Sequence, residues 1–339
     1  MICAKRVFRC FKTVERWGNK ITGAAGPYFV GLAVLLIATG TFAFFDVIAP
    51  SLSFPMLSIP ICLLIAVNLW AHYYYVITVR PGFIEDPSKE APDSFLWAKK
   101  SNRRRGSLTG GVRWTNTPRI TPSTMSRCNR CAKMRPERAH HCRICNRCVL
   151  KYDHHCPVRI NQCVGLYNER HFVMFMMYLV VATFCFSISG YHKILQALGI
   201  TFDTNRWPHY TPEVMFAMIY ILTVVLCFAV GVMLAWHLWG ITNGETSVEA
   251  QDHELYSNRA KARDEVFVNS YDLGRKRNLV LFFNVGDGGY PWYTLLLPLR
   301  ILPYTDGRSW ARREGLERHQ GLRMGEELTD ESEEEEYED

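Results

Sequence analysis

The chain has 339 residues, a net charge of +7 and 48% hydrophobic residues, bulk numbers that by themselves suit one large or two medium soluble domains. The distribution of the apolar residues excludes that. Residues 27–49, 57–79, 172–191 and 214–239 contain only Asp46, His72 and His237 as potentially charged positions, and each reaches the roughly 20 residues a helix needs to cross a bilayer. A soluble core helix would keep a polar face, so the expected fold is a polytopic α-helical membrane protein with four transmembrane helices.

In chain order, residues 1–26 form a basic segment suited to anionic lipid, in which Cys3 and Cys10 are candidates for S-acylation. This segment is too polar for a cleavable signal, so the first span is expected to act as its own insertion signal. Residues 27–79 hold the first two spans, joined by a turn with Pro50 and Pro55, and Arg80-Pro81-Gly82 reads as a helix stop. Residues 80–127 form a linker with the run Arg103-Arg104-Arg105; without interleaved aromatics or a reading helix, it does not point to nucleic acid. Residues 128–171 are cysteine-rich, and 172–241 hold spans three and four, joined by a loop over 192–213. In the C-terminal region, 242–324, a helix is expected over 246–264, a small element over 269–284 and interfacial docking over 290–301. In the tail, 325–339, the last fourteen residues include ten acids, a pattern of disorder.

Lys and Arg number six in residues 1–27, none between the first two spans, nineteen from Arg80 to Arg170, two between spans three and four, and twelve after Trp239. Basic flanks stay cytosolic, so both termini and the cysteine-rich segment are placed there, in a reducing compartment that keeps thiols available.

That segment holds seven of the chain's twelve cysteines between Cys128 and Cys163. Shifted by fourteen residues it falls on itself: Cys128 on Cys142 on Cys156, Cys131 on Cys145, His140 on His154, His141 on His155. Each C-x-x-C followed by His and Cys supplies four ligands for a closed tetrahedral zinc site. The first set is Cys128, Cys131, His141 and Cys148. The second is Cys142, Cys145, His155 and Cys163, although the register places its last cysteine at Gln162, one residue earlier. A closed site leaves no position for substrate, so two structural zinc ions are expected.

Cys156 opens a third copy but Arg159 stands where its partner cysteine would be, so one thiol is left over, sixteen residues before span three and hence at the membrane surface. A thiol needs a base, and the base an orienting carboxylate; Cys156, His154 and Asp153 supply the three roles. Adjacent residues of a helix or strand would not converge, so a loop shaped by the zinc sites is expected here. A thiol at that height suits attack on a thioester whose acyl chain lies in the bilayer, and a cavity among the spans could hold the chain. Arg135, Arg138 and His140 are candidates to meet the phosphates of a coenzyme A carrier.

With the quartet Asp153-His154-His155-Cys156 inside a double zinc register, and with Asn161, Asn168 and Phe172 downstream, the sequence resembles the DHHC family of protein S-acyltransferases (palmitoyltransferases) over most of residues 27–284. Thr242-Asn243-Gly244-Glu245 resembles that family's Thr-Thr-x-Glu element, and Asn269 and Tyr271 its C-terminal asparagine motif. The resemblance implies that Cys156 is acylated by fatty acyl-CoA such as palmitoyl-CoA and passes the chain to cysteines of membrane-associated proteins, with the zinc ions structural. It implies residence in the endomembrane system, endoplasmic reticulum or Golgi, and is compatible with an accessory subunit. The family's Cys-Pro-Trp is here Cys156-Pro157-Val158, with one extra residue before Cys163. A misplaced nucleophile would leave a membrane-embedded zinc-domain adaptor as the alternative.

Overall fold

The structure is a computed structural model; it describes residues 18, 25–87, 94–99, 120–157, 160–200, 207–286, 289–323 and 326. Cys3, Cys10, the Arg103–Arg105 run, Val158, Arg159 and the acidic residues 327–339 lie outside the described residues.

Among the described residues, four helices are long and apolar enough to cross a membrane: α1 (Ala25–Ser51), α2 (Pro55–Thr78), α3 (Glu169–Ser189) and, after the short α4 (Tyr191–Ala197), α5 (Glu213–Asn243). At about 1.5 Å per residue, the 24 residues of α2 span about 36 Å, enough for a hydrocarbon layer of roughly 30 Å. The expected spans thus stand at nearly the expected places, whereas the loop after the third contains α4. α3 packs against both α2 and α5, burying Leu69, Tyr73, Val76, Phe172, Met176 and Val230 in one core. Large apolar side chains such as Leu35, Leu57, Ile221 and Phe228 are exposed on the outside of the bundle, as they would be toward lipid.

The cysteine-rich segment builds hairpins rather than helices. β1 (Ile120–Pro122) pairs with β8 (Ser309–Ala311) from the far end of the chain, and three local antiparallel hairpins follow: β2 (Met125–Arg127) with β3 (Met134–Pro136), β4 (His140–Cys142) with β5 (Arg147–Val149), and β6 (His154–Cys156) with β7 (Gln162–Val164). α2 stops at Thr78, before Pro81, and the following backbone ties the span to the hairpins: Leu150 N–H donates to Gly82 O and Tyr167 N–H to Pro81 O. Gly82 has φ +99°, and a Cβ there would lie 2.6 Å from the Tyr167 ring, so this close crossing needs glycine.

At the other end, α5 terminates at Gly244, whose φ of +74° is the left-handed conformation of a helix C-terminus. α6 (Ser247–Lys261) then starts on a reciprocal cap, in which Glu249 N–H donates to Thr246 Oγ1 and Thr246 N–H to the Glu249 carboxylate. α7 (Arg275–Phe283) follows. It lies within the element anticipated over 269–284 and contributes Leu279 and Phe282–Phe283 to the core shared by the spans.

Candidate active site

Two clusters of sulfur and imidazole atoms organise the hairpins. In the first, His141 Nδ1 lies 3.7 Å from the Sγ of Cys128 and of Cys148, and the Sγ atoms of Cys131 and Cys148 are 3.6 Å apart. In the second, His155 Nδ1 lies 3.6, 3.5 and 3.4 Å from the Sγ of Cys142, Cys145 and Cys163. A tetrahedral zinc with bonds of about 2.3 Å to sulfur and 2.0 Å to nitrogen has ligand-to-ligand edges of about 3.5–3.8 Å. The donor sets fit that ion, and both clusters could bind zinc.

The pairing explains why the one-residue slip does no damage to the second cluster. His141 stands opposite Cys148 across β4–β5, and His155 stands opposite Cys163 across β6–β7. Residues 143–146 connect the first pair of strands and 157–161 the second, so the extra residue sits in the connection while the ligand pair keeps its register. Asn161 turns the chain with φ +50°. Beside it the Gln162 amide donates to the carbonyls of Val76 and Val79 at the end of α2. Buried Asn168 accepts from Gly165 N–H (2.9 Å) and donates to Cys163 O (2.9 Å), fixing the strand that carries the last ligand.

Asp153, just before β6, is brought together with His154 and Cys156 on that strand rather than on the expected loop. Side chains alternate across a strand, so His155 points to the metal cluster while His154 and Cys156 share the opposite face. His154 Nδ1–H donates to Asp153 Oδ2 at 2.6 Å, and Cys156 interacts with the same imidazole. Phe172 meets the His154 ring edge-on at 5.2 Å. Cys156 packs against the core formed by the spans.

Burial opposes charge on both partners, and their contact outweighs it. Asp153 would be raised by burial but is held at about 2 by His154. His154 would be lowered by burial, yet its bonds to Asp153 and Cys156 lift it to about 9. The geometry therefore favours imidazolium beside carboxylate.

The sequence reading missed two further neighbours of this carboxylate. Ser247 N–H, at the start of α6, donates to Asp153 Oδ1 at 2.7 Å, and His237 of α5 has Nδ1 3.8 Å from Oδ2. The Thr-x-x-Glu element that meets the site is thus Thr246-Ser247-Val248-Glu249, not Thr242–Glu245: the Glu245 carboxylate is engaged by His253 Nδ1 at 2.7 Å. A capping box is legible as Thr followed three residues later by Glu, which is the signal that could have found it.

Arg135, Arg138 and His140 line one cavity of about 110 Å³ with Arg312, Arg318 and His319. The expectation that all three meet a carrier's phosphates needs correction at Arg138. Its guanidinium forms a two-point pair with Glu249, with Nη2 at 2.6 Å from Oε2, and lies over the rings of Tyr271 (4.3 Å) and Trp310 (4.7 Å). The partners' side chains are 6% and 8% exposed, so this cation is committed inside the fold. Glu249, which burial alone would raise, is held at about 2 by Arg138. Tyr271 closes the arrangement by donating to Glu137 Oε2 at 2.9 Å, and Asn269 Nδ2 donates to Asn243 O at 3.0 Å at the end of α5.

A second cavity, about 130 Å³, is also lined by Arg138, together with Asp153, His237, Lys151, Glu169 and Trp236 among others. A third, about 120 Å³, lies among the spans and is lined almost wholly by apolar groups including Ile37, Phe44, Leu69, Leu179, Phe186 and Leu226.

A Cys–His–Asp set carried beside two clusters that could bind zinc and packed against helices long and apolar enough to cross a membrane defines the class of protein. Residues 122–254 match the family described as DHHC palmitoyltransferase, so the chain carries a domain of that family. Among its relatives are palmitoyltransferase ZDHHC16A of Danio rerio, 30% identical over 58% of this chain and 63% of the relative, and palmitoyltransferase ZDHHC16 of Mus musculus, 36% identical over 56% and 54%. Palmitoyltransferase PFA3 of Debaryomyces hansenii is 31% identical over 51% and 44%. The chain spans less than two thirds of the length of these relatives.

Proposed function

We propose that the protein is a protein-cysteine S-acyltransferase, a palmitoyltransferase, acting in two steps through Cys156. The reading rests above all on one observation: a carboxylate-bound imidazole, His154 on Asp153 at 2.6 Å, shares a strand face with a cysteine that lies outside both metal clusters.

In the first step His154 takes the Cys156 proton, and the thiolate attacks the carbonyl carbon of a fatty acyl-CoA. The carbon–sulfur bond to coenzyme A breaks, and the leaving thiolate takes the proton from His154. In the second step His154 deprotonates a cysteine of a membrane-associated protein, whose thiolate attacks the acyl carbonyl; the thioester bond to Cys156 breaks, and the Cys156 thiolate takes back the proton from His154. Asp153 keeps Nδ1 protonated and so leaves Nε2 as the base. The apolar cavity among the spans suits the acyl chain, and the cavity lined by Arg135, His140, Arg312 and Arg318 suits a carrier phosphate. Zinc in both closed clusters would hold the hairpins and take no part in bond making.

On this reading residues 1–26, 80–127, 128–171 and 242–339 are cytosolic, and the protein resides in the endoplasmic reticulum or Golgi membrane. Its protein substrates carry cysteines within reach of the bilayer surface, and an accessory subunit is compatible with the cytosolic faces. Against the adaptor alternative, the extra residue leaves His155 opposite Cys163, which supports an intact second cluster. Labelling with an alkyne fatty acyl-CoA tests the proposal: a hydroxylamine-sensitive adduct is expected on the wild type and not on Cys156→Ser. Equal labelling of the two would remove Cys156 from the mechanism.

A further inference from the structure

Residues 289–299 contain no charged side chain, and after Pro291 the chain makes one tight turn of helix, Trp292–Leu295. Tyr293 O accepts the N–H groups of Leu296 and Leu297, and Leu297 O accepts that of Leu299. The other carbonyls from 294 to 298 are met by side chains of the spans. Arg170 Nη2 donates to Thr294 O (2.9 Å), Tyr178 OH to Leu295 O (2.8 Å), Asn68 Nδ2 to Leu296 O (2.8 Å) and Tyr75 OH to Pro298 O (3.0 Å). Every carbonyl from Tyr293 to Pro298 is therefore satisfied from within the protein, and Pro298 has no N–H to satisfy.

In water this arrangement would be unnecessary, because solvent meets loop carbonyls at no cost in buried polar groups. It is the arrangement irregular backbone needs where water is absent. The side chains around these protected carbonyls are apolar and open to the outside: Trp292 is 58% exposed, Tyr293 48%, Leu296 61% and Leu297 42%.

The donors also fix the height. Asn68 precedes the end of α2 at Thr78 by ten residues, about 15 Å along a helix. Tyr178 follows the start of α3 at Glu169 by nine, about 13 Å. Tyr75, which meets Pro298 on the way out, lies only about 4 Å from the end of α2. The chain therefore descends beside the two spans and climbs back, well below the surface level suggested by its Trp and Tyr content.

We propose that residues 291–298 form a re-entrant loop seated among the acyl chains of the cytosolic leaflet, with Trp292, Tyr293, Leu296 and Leu297 in contact with lipid and the backbone held by Asn68, Tyr75, Arg170 and Tyr178. Leu295 of this loop packs on the same core as Cys156, so the loop braces the reacting strand from the membrane side. The inference rests on the reading that α2 and α3 cross the bilayer, and its test includes that reading as a control.

The full chain would be placed in phosphatidylcholine vesicles carrying a photoactivatable diazirine either in mid-acyl chain or on the headgroup, and adducts mapped by mass spectrometry. Mid-chain adducts on residues 292–297 are expected at a yield within about two-fold of those on the exposed face of α2, since both would meet the same probe depth. Adducts chiefly from the headgroup probe would put the loop at the surface and overturn the proposal. Protection from both probes, in a protein that runs as a dimer, would assign the face to a second copy and likewise overturn it. If α2 and α5 also escaped the mid-chain probe, the spanning reading would fail and the loop with it. Asn68→Leu, which keeps α2 apolar, should lower mid-chain labelling of the loop by about three- to thirty-fold, the range set by one hydrogen bond within a membrane, with α2 labelling unchanged. Undiminished loop labelling in that variant would refute the role given to the span donors.

Discussion

Glu249→Gln isolates the charge of a pair on which much of the cytosolic structure turns. The amide keeps the shape and can still accept from Thr246 N–H, so the cap survives in part, but Arg138 loses its counter-charge. Both side chains are less than a tenth exposed, at 6% and 8%. Breaking a pair so buried typically costs about 3–5 kcal/mol, because the remaining ion is left without compensation. Replacing both members with apolar residues of similar volume is often close to neutral. The double variant Arg138→Met/Glu249→Leu should therefore recover most of the loss, apart from about 1 kcal/mol for the broken cap. The coupling in the cycle of wild type, Arg138→Met, Glu249→Leu and the double variant is expected at about 2 kcal/mol or more, read from apparent melting temperatures of the detergent-solubilised protein in all four forms. Autoacylation should fall in Glu249→Gln even at temperatures where the protein remains folded, since α6 delivers Ser247 N–H to Asp153. A double variant no more stable than Glu249→Gln, or an additive cycle, would refute this account of the pair.

Further outcomes follow from other parts of the fold. Deleting Arg159 shortens the 157–161 connection to the length of 143–146; metal analysis should still find two zinc ions per chain, and loss of one would contradict a slip absorbed between the strands. His319 Nδ1 accepts Ser270 N–H at 3.2 Å. Burial, with a smaller contribution from His253, lowers its pKa from 6.5 to about 3; Glu249, Arg312 and Arg138 also act on it. The unfolded chain thus binds a proton below pH 6.5 that the fold refuses, and stability should decline as pH falls from 6.5, by at most about 1.4 kcal/mol per unit from this group. His319→Gln should flatten the decline in melting temperature between pH 7 and 5.5; an unchanged slope would place its origin elsewhere.

The spans were legible because lipid demands about 20 uninterrupted apolar residues, and the ligand sets because the repeat is written in cysteine and histidine at constant spacing. What escaped depended on strand pairing and distant partners. Nothing in Asp153-His154-His155-Cys156 announces a strand, yet alternation alone divides its two imidazoles between metal and thiol. Thr242–Glu245 was the tempting match after the last span because it follows the apolar run directly. In the structure α5 continues to Asn243, and the element that caps a helix against Asp153 comes four residues later. Arg138 read as a candidate phosphate contact, and only the return of β8, Tyr271 and α6 around it reveals a buried cation. Asn68, Tyr75 and Tyr178 carry no signal at all as single polar residues in apolar helices, since their acceptors lie more than a hundred residues away in sequence.

His141 and Cys142 are consecutive in β4 but belong to different clusters, and His155 and Cys156 repeat the arrangement, the first facing the second cluster and the second lying on the face it shares with His154. The chain therefore runs as a series circuit from the first cluster to the second to the reacting thiol, with one peptide bond at each junction. Neither cluster can be emptied quietly: Cys128→Ala, remote from the chemistry, should lower occupancy of both sites and acylation together, and graded chelation should yield fully loaded and fully failed molecules with few between.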